Sequence, residues 1–263
     1  RRDGGEGAAA DARTADWARR NGTARGVVTE RIGEASTHRL HALGEWLDRH
    51  PFVGPCLAVI AWLLIVAFSS PWGRLWGTGQ DAYCYWFPSL DDPYARSDWT
   101  DPIAYMYSPA FLQLLQPIRL LPWEAYMAVW TLVLLAAVVV LTGRRWLAAG
   151  IVLGLMELAG GNIHLLLAAA IVLGFRWPWT WAIVLLTKIT PGIGLLWFVV
   201  RREWRNLAIA LGGTALVVAL SFALMPDAWL AWSEVLSRVA GRDGTWAAVP
   251  IPFVVRLPVA IAV

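Results

Sequence analysis

Apolar residues dominate the chain from residue 52 onward and form seven stretches separated by polar segments. Three stretches hold 18 residues or more, and a helix of that length can cross a hydrocarbon core of about 30 Å. The longer stretches are 52–69, 123–142 and 206–225, and the shorter ones are 146–160, 163–175, 179–189 and 191–200. The pattern predicts an all-α, polytopic membrane protein with seven helical spans.

The four shorter stretches have polar residues at their breaks. A single helix of 10–15 residues does not cross the hydrocarbon core, and broken helices are tolerated where they are buried in protein or line a polar cavity. The polar residues at these breaks are Glu157, Asn162, His164 and Lys188. The middle of the chain is therefore predicted to surround a site.

The remaining segments are polar or interrupted. Residues 1–51 form a polar tail, in which 27–49 is either an amphipathic helix lying on the membrane or part of a disordered segment. Loops are predicted over 71–107 and 226–249. Between them, 108–122 is apolar but short, and it contains Pro117 and Arg119. That pattern favours an interfacial or re-entrant helix over a span.

The arginines predict the orientation. If the N-terminus is cytoplasmic and 108–122 stays on the outer face, the arginines of the short loops fall inside and the two long loops fall outside. This is the bias that membrane proteins show for positive charge on the inner side. We therefore predict a multi-pass protein of the cell membrane, with a cytoplasmic tail over 1–51 and a transmembrane domain over 52–263. The chain ends within an apolar run, and we expect it to be part of a longer membrane protein.

Composition supports a membrane protein. Hydrophobic residues make up 58% of the chain and charged residues 16%, whereas soluble domains have about 45–50% and about 25%. This composition argues against intrinsic disorder over most of the chain and against a soluble enzyme. A net charge of +3 is too balanced to suggest binding to nucleic acid. The two cysteines, Cys56 and Cys84, form neither a disulfide framework nor a CxxC metal motif.

Asp81 is the strongest candidate for acid–base chemistry. It follows the first span by about ten residues, in the segment TGQDAYCYW. A carboxylate held against the membrane surface can take a proton from an attacking hydroxyl. The alternative is that Asp81 caps a helix by accepting hydrogen bonds from backbone N–H groups. The other aspartates of the loop, which include Asp91, Asp92 and Asp101, are typical of a solvated surface.

Lys188 is the only lysine in a chain with 21 arginines, and it lies in an apolar run. An ionisable group at membrane depth is costly, so it is a candidate for binding a phosphate. The alternative is a side chain that extends to the interface. Arg256, between two prolines, is a second candidate for a phosphate, or a surface arginine.

Three polar residues near the Gly-Gly-Asn break are candidates for a substrate pocket. Asn162 and His164 either line a sugar or headgroup pocket or satisfy backbone groups that the break leaves free. Glu157, one helical turn earlier, either borders the same pocket or pairs with an arginine.

Aromatic residues are concentrated in the first long loop. They are Tyr83, Tyr85, Trp86, Trp99, Tyr105 and Tyr107. Aromatic faces pack against sugar rings, which makes Tyr83 and Tyr107 candidates for a substrate pocket. The same residues form interfacial belts, and a belt explains most of them.

These elements, taken in order, resemble glycosyltransferase family 87, whose members are membrane glycosyltransferases of the GT-C type. The resemblance covers roughly residues 52–225 and rests on DAYCYW, YMYSPAFLQLLQPIRLLPW, GGNIHLLLAAAIVLG and LLTKITPGIGLLWFVVRREWR. Its most specific pairs are Tyr107 with Pro109, Gly161 with Asn162, and Lys188 with Pro191. Family members commonly have Tyr-Pro-Pro at the first pair, where this chain has Ser108.

The resemblance implies a reaction. The donor would be a sugar linked to polyprenyl phosphate, commonly mannose and in some members arabinofuranose. The acceptor would be a glycolipid or cell-wall glycan on the outer face, with inversion at the anomeric carbon and Asp81 as the base. A monophosphate leaving group needs no metal in principle, so we expect no metal and no cofactor. The alternatives are a secondary transporter with a site at mid-membrane and a non-catalytic membrane scaffold.

Overall fold

The computed structural model describes residues 37–69, 77–98, 101–188 and 190–240. The chain divides into two units, Arg1–Val53 and Gly54–Val263. The described part of the first unit contains helix α1, Thr37–Arg49. It covers the second half of the helix predicted over 27–49, whereas residues 27–36 lie outside the described residues.

Helices dominate the described part of the second unit, and the described residues contain no strand. This confirms the all-α fold. The α-helices are α2 (Val53–Phe68), α3 (Gln80–Trp86), α4 (Pro109–Arg119), α5 (Trp123–Thr142), α6 (Leu147–Leu153), α7 (Leu155–Gly160), α8 (His164–Gly174), α9 (Trp181–Thr187), α10 (Leu196–Val200), α11 (Trp204–Leu224) and α12 (Pro226–Ala240). Two 3₁₀ helices, η1 (Pro178–Thr180) and η2 (Thr190–Leu195), precede α9 and α10.

Two of the described helices, α5 and α11, are long and apolar enough to cross a membrane, and the count rises to three if α1 and α2 form one broken span. The four shorter stretches form short helices, as expected, and α8 lies within 163–175. The stretch 146–160 consists of α6 and α7, which meet at Gly154. The stretches 179–189 and 191–200 each combine a 3₁₀ turn with a short α-helix. The number of membrane crossings stays a prediction.

Two predicted loops contain helices. Within 71–107, residues 80–86 form α3, and within 226–249, residues 226–240 form α12. Both segments lie between apolar stretches, which is why loops were predicted there. The segment PDAWLAWSEVLSRVA nevertheless has a proline and an acidic residue at its start and alternates apolar and polar positions at helical spacing. Amphipathic helices of this kind lack the long apolar run that marks a span.

The predicted aromatic belt is wrong for Tyr83, Tyr85 and Tyr105. All three side chains are at most 5% exposed. The ring of Tyr85 contacts Trp130 of α5 and Phe111 of α4 edge to face. The tyrosines therefore belong to the core that holds α3 against α4 and α5. Trp99 lies outside the described residues.

Candidate active site

Helix α3 carries Asp81 and is attached to the end of α7. Gly79, immediately before α3, has a φ of 78°, in the left-handed region that favours glycine. Its N–H group donates to the carbonyl oxygen of Ala159 at 2.7 Å. This bond fixes the start of α3 beside the Gly-Gly-Asn break.

The Gly-Gly-Asn break packs directly on α3. Gly161 ends α7 with a φ of 71°. A Cβ atom at Gly161 would lie 2.6 Å from the Cβ of Ala82, and one at Gly160 would lie 3.2 Å from Oδ2 of Asp81. The indole N–H of Trp130 donates to the carbonyl of Gly161 at 2.7 Å. Glycine is therefore required for the close approach as well as for the turn.

Asn162 hydrogen-bonds to Asp81. Its Nδ2 donates to Oδ2 of Asp81 at 3.0 Å, and its Oδ1 accepts from the backbone N–H of His164 at 3.2 Å. The cap position of α3 is Gly79, which makes no side-chain cap bond. The contacts of Asp81 therefore differ from those of a helix cap.

The surroundings of Asp81 raise the pKa of its carboxyl group above the usual value. Burial disfavours the ionised form and is the largest cause. The hydrogen bond from Asn162 opposes this effect, Glu157 adds to it, and His164 and Lys188 oppose it more weakly. A carboxylate with a raised pKa is a stronger base than one in water, as a general base requires.

Lys188, His164 and Glu157 form a second group of contacts. Nδ1 of His164 lies 3.1 Å from Oε2 of Glu157, and Nε2 of the same ring contacts Nζ of Lys188. Lys188 directly follows the last turn of α9, where the backbone becomes extended. The hydroxyl of Ser108 donates to the carbonyl of Leu186 at 2.5 Å and so ties this end of α9 to the start of α4.

Asp81 and Lys188 line one cavity of about 290 Å³. The other lining residues are Cys84, Tyr85, Pro102, Ala104, Met106, Tyr107 and Thr187. Burial raises the pKa of Cys84 to about 12, so its thiol stays protonated at neutral pH. The cavity thus combines a potential base, a potential cation and two phenol rings.

The two lining tyrosines have a defined hydrogen-bond arrangement. The oxygen of Tyr85 accepts from the backbone N–H of Ile163 at 3.4 Å and lies 3.3 Å from the hydroxyl oxygen of Tyr107. Since Tyr85 accepts from the backbone, its own proton is available to Tyr107. The proton of Tyr107 is then free to point into the cavity.

The structure brings most of the predicted site residues together but not all of them. Tyr83 packs against Phe87 and Trp123, and the cavity lining does not include it. Three other pocket candidates are also absent from the lining and instead contact Asp81 or Lys188 directly or through each other: Glu157, Asn162 and His164. Arg256 lies outside the described residues. The lining also includes Thr187, Cys84 and Met106, which were not predicted as site residues. No sequence signal marks them, because they reach the cavity only through the packing of α3, α9 and the loop before α4.

The remaining acidic residues of the first long loop do not contribute to the cavity lining. Asp91 and Asp92 are exposed, and Asp101 pairs with Arg96 at 2.9 Å. Within the described ranges, no three His, Cys, Asp or Glu side chains lie together in a way that could hold a metal ion.

Comparison with known proteins gives a family match. The model of glycosyltransferase family 87 matches residues 105–256, a range that includes Tyr107, Asn162 and Lys188 and begins after Asp81. No curated protein and no solved structure matches this chain. Since the match covers more than half of the chain, the family resemblance of the sequence is confirmed. The chain belongs to glycosyltransferase family 87, a family of membrane enzymes that transfer a sugar from a donor to an acceptor.

Proposed function

We propose that this membrane glycosyltransferase transfers a mannose-like sugar from a polyprenyl-phosphate donor to a glycolipid or cell-wall glycan on the outer face of the cell membrane. The observation that carries the proposal is the placement of Asp81 and Lys188 in one cavity. A transfer of this kind needs a base for the acceptor and a cation for the leaving phosphate. A raised carboxyl pKa also suits a proton-coupled transporter, so the family match decides for transfer.

Asp81 acts as the general base. The acceptor hydroxyl gives its proton to the carboxylate while its oxygen forms a bond to the anomeric carbon. The bond between that carbon and the phosphate oxygen breaks on the opposite face, and its electron pair leaves with polyprenyl phosphate. This displacement inverts the anomeric configuration.

Lys188 stabilises the leaving phosphate as its negative charge grows. An ammonium group fixed in a partly buried cavity interacts with that charge more strongly than it would in water. The contact of Nζ with His164, which itself contacts Glu157, holds the flexible lysine side chain in the cavity. Arg256 would assist at the phosphate from the segment beyond residue 240.

Tyr107 orients the sugar. The Tyr85 hydroxyl, which accepts from the backbone of Ile163, can donate to Tyr107 across 3.3 Å. The hydroxyl of Tyr107 would then donate to a sugar oxygen in the cavity. Tyr94 fixes the loop at this point, because its hydroxyl donates to the backbone carbonyl of Tyr107 at 2.7 Å. A hydrogen-bonding hydroxyl on a fixed backbone favours one orientation of the sugar ring.

The experiment that tests this proposal compares donors. The full-length protein is reconstituted in vesicles made from a total lipid extract of its source membranes, with soluble cell-wall glycan fragments added. Radiolabelled polyprenyl-phosphate mannose, polyprenyl-phosphate arabinose and nucleotide-linked mannose are supplied separately. We expect label to enter a product from polyprenyl-phosphate mannose. Transfer from the nucleotide-linked sugar alone, or no transfer from either lipid-linked donor, would contradict the proposal.

A further inference from the structure

We infer that Asn162 is the positioning residue of the catalytic base, holding Oδ2 of Asp81 so that Oδ1 faces the acceptor hydroxyl. The inference rests on the proposed function, in which Asp81 is the base. It also gives Asn162 a different role from that of a substrate contact.

Both polar atoms of the Asn162 amide are engaged by the protein. Oδ1 accepts from the backbone N–H of His164 at 3.2 Å, and Nδ2 donates to Asp81 at 3.0 Å. A backbone N–H can only donate, so it fixes which end of the amide is the oxygen. The NH₂ end must therefore face the carboxylate of Asp81.

The backbone of Asn162 is held equally firmly. Its N–H group donates to the carbonyl of Glu157 at 2.9 Å. Gly161, directly before it, has a φ of 71° and contacts Ala82, the neighbour of Asp81. The segments that carry the donor and its acceptor are therefore packed closely together, in addition to being joined by the hydrogen bond.

The bond determines which carboxylate oxygen takes the proton. In the described part of the chain, the hydrogen bond of Asp81 is to Asn162 and uses Oδ2. Oδ1 is then the oxygen left for the acceptor hydroxyl. A base fixed in rotation reacts without first losing that freedom, and small misplacements of reacting groups are costly.

Asn162 also affects the proton affinity of the base. Four groups shift the pKa of Asp81: Asn162, Glu157, His164 and Lys188. The Cys84 thiol and the hydroxyls of Tyr85 and Tyr107 face the same cavity as Asp81. The Asn162 hydrogen bond lowers the pKa of Asp81, whereas Glu157 raises it. Loss of the amide donor should therefore raise that pKa further. The acidic limb of the pH–rate profile, where Asp81 becomes protonated, should move to higher pH.

The substitution Asn162→Asp separates positioning from a structural role. Aspartate keeps the oxygen that accepts from the N–H of His164, so the turn at the break stays satisfied. It replaces the donor with a second carboxylate against Asp81, and like charges raise a carboxyl pKa. Asn162→Ala removes both bonds. The matched control is Asn206→Asp, since Asn206 also donates to a carboxylate, that of Glu203, at 2.9 Å, and it lies at the start of α11.

The measurement is the pH dependence of mannose transfer by the reconstituted full-length variants, together with their membrane content. We expect Asn162→Ala and Asn162→Asp to lower the rate at neutral pH by roughly 10- to 100-fold, the effect of losing a hydrogen bond to a charged group. Their acidic limbs should move to higher pH, further in Asn162→Asp, and activity should recover as the pH rises. Asn206→Asp should keep the profile of the unmodified protein.

Three results would overturn the inference. They are an unchanged profile in Asn162→Asp, an equal loss at every pH in both variants, and failure of both variants to accumulate in the membrane. Asp81→Asn in the same assay separates this inference from the proposed function. Normal transfer by Asp81→Asn would refute the role of Asp81 as the base. Loss of transfer in Asp81→Asn, together with an unchanged pH profile in Asn162→Asp, would refute only the positioning role of Asn162.

Discussion

Replacing Gly161 with alanine should separate α3 from the Gly-Gly-Asn break. The new Cβ would lie 2.6 Å from the Cβ of Ala82, whereas carbon atoms in contact are about 3.5–4.0 Å apart. Ala82 is fully buried and its Cβ is attached directly to the backbone of α3, so no side-chain rotation relieves the clash. Either α3 or the break must therefore move by about 1 Å. The positive φ adds about 1–3 kcal/mol of backbone strain.

That movement acts on the contact between Asp81 and Asn162. A misplacement of about 1 Å can cost about 100-fold in rate, which corresponds to about 2.7 kcal/mol of barrier. We therefore expect Gly161→Ala to lose about 100-fold in mannose transfer per folded molecule. Folded protein is measured by thermal denaturation and size-exclusion chromatography in detergent.

Gly143→Ala is the matched control for this prediction. Gly143 also has a positive φ, 67°, but a Cβ there would meet no atom within 4 Å. Gly143 directly follows the C-terminal end of α5, about 30 Å along the helix from Trp123 at its N-terminal end. Gly143→Ala should lose stability through backbone strain alone, at a φ of 67° and a ψ of 175°, and keep its activity per folded molecule. Normal activity in Gly161→Ala, or an equal loss of activity in Gly143→Ala, would refute the reasoning.

Three further predictions concern the cavity. Lys188→Met should lose about 10²- to 10³-fold in turnover, as expected for removal of a group that stabilises developing charge. Lys188→Arg should retain more activity, because it keeps the charge with altered geometry. Equal, near-normal rates in both variants would refute a role at the phosphate. Burial raises the pKa of Asp81, so transfer by the unmodified protein should begin to decline on acidification at a pH above the ordinary range of aspartate pKa values. A rate that stays constant down to that range would contradict this prediction. Tyr107→Phe should lower kcat/KM by about 3- to 10-fold, as expected for one hydrogen bond to an uncharged group, and an unchanged value would show that the hydroxyl does not contact substrate.

The sequence predicted the helical membrane fold and the breaks, because long apolar runs, glycines and prolines act locally. It also selected the residues that the structure brings together, since a carboxylate, an amide and a lone lysine are conspicuous in an apolar chain. Asp81 and Lys188 are 107 positions apart in the sequence, and no local pattern places them in one cavity.

Other features depend on packing that a single sequence does not report. The burial of Tyr85 and Tyr105 depends on α4 and α5 closing over α3, so an interfacial belt fitted the same residues equally well. Helix α12 was missed because its amphipathic pattern has no long apolar run. The engagement of both amide atoms of Asn162 depends on its neighbours across the break.

The central claim is that Asp81 takes the proton of the acceptor hydroxyl, and Asp81→Asn tests it most directly. Asparagine keeps the size of the side chain and an oxygen that can accept from Asn162, but it does not take up a proton at neutral pH. General-base catalysis contributes about 10²- to 10⁴-fold, so the rate of mannose transfer by the reconstituted full-length variant should fall by at least 100-fold. Donor binding and membrane content should stay normal, and Asp91→Asn and Asp92→Asn, at exposed loop positions, should transfer at the unmodified rate. A normal rate in Asp81→Asn would contradict the account.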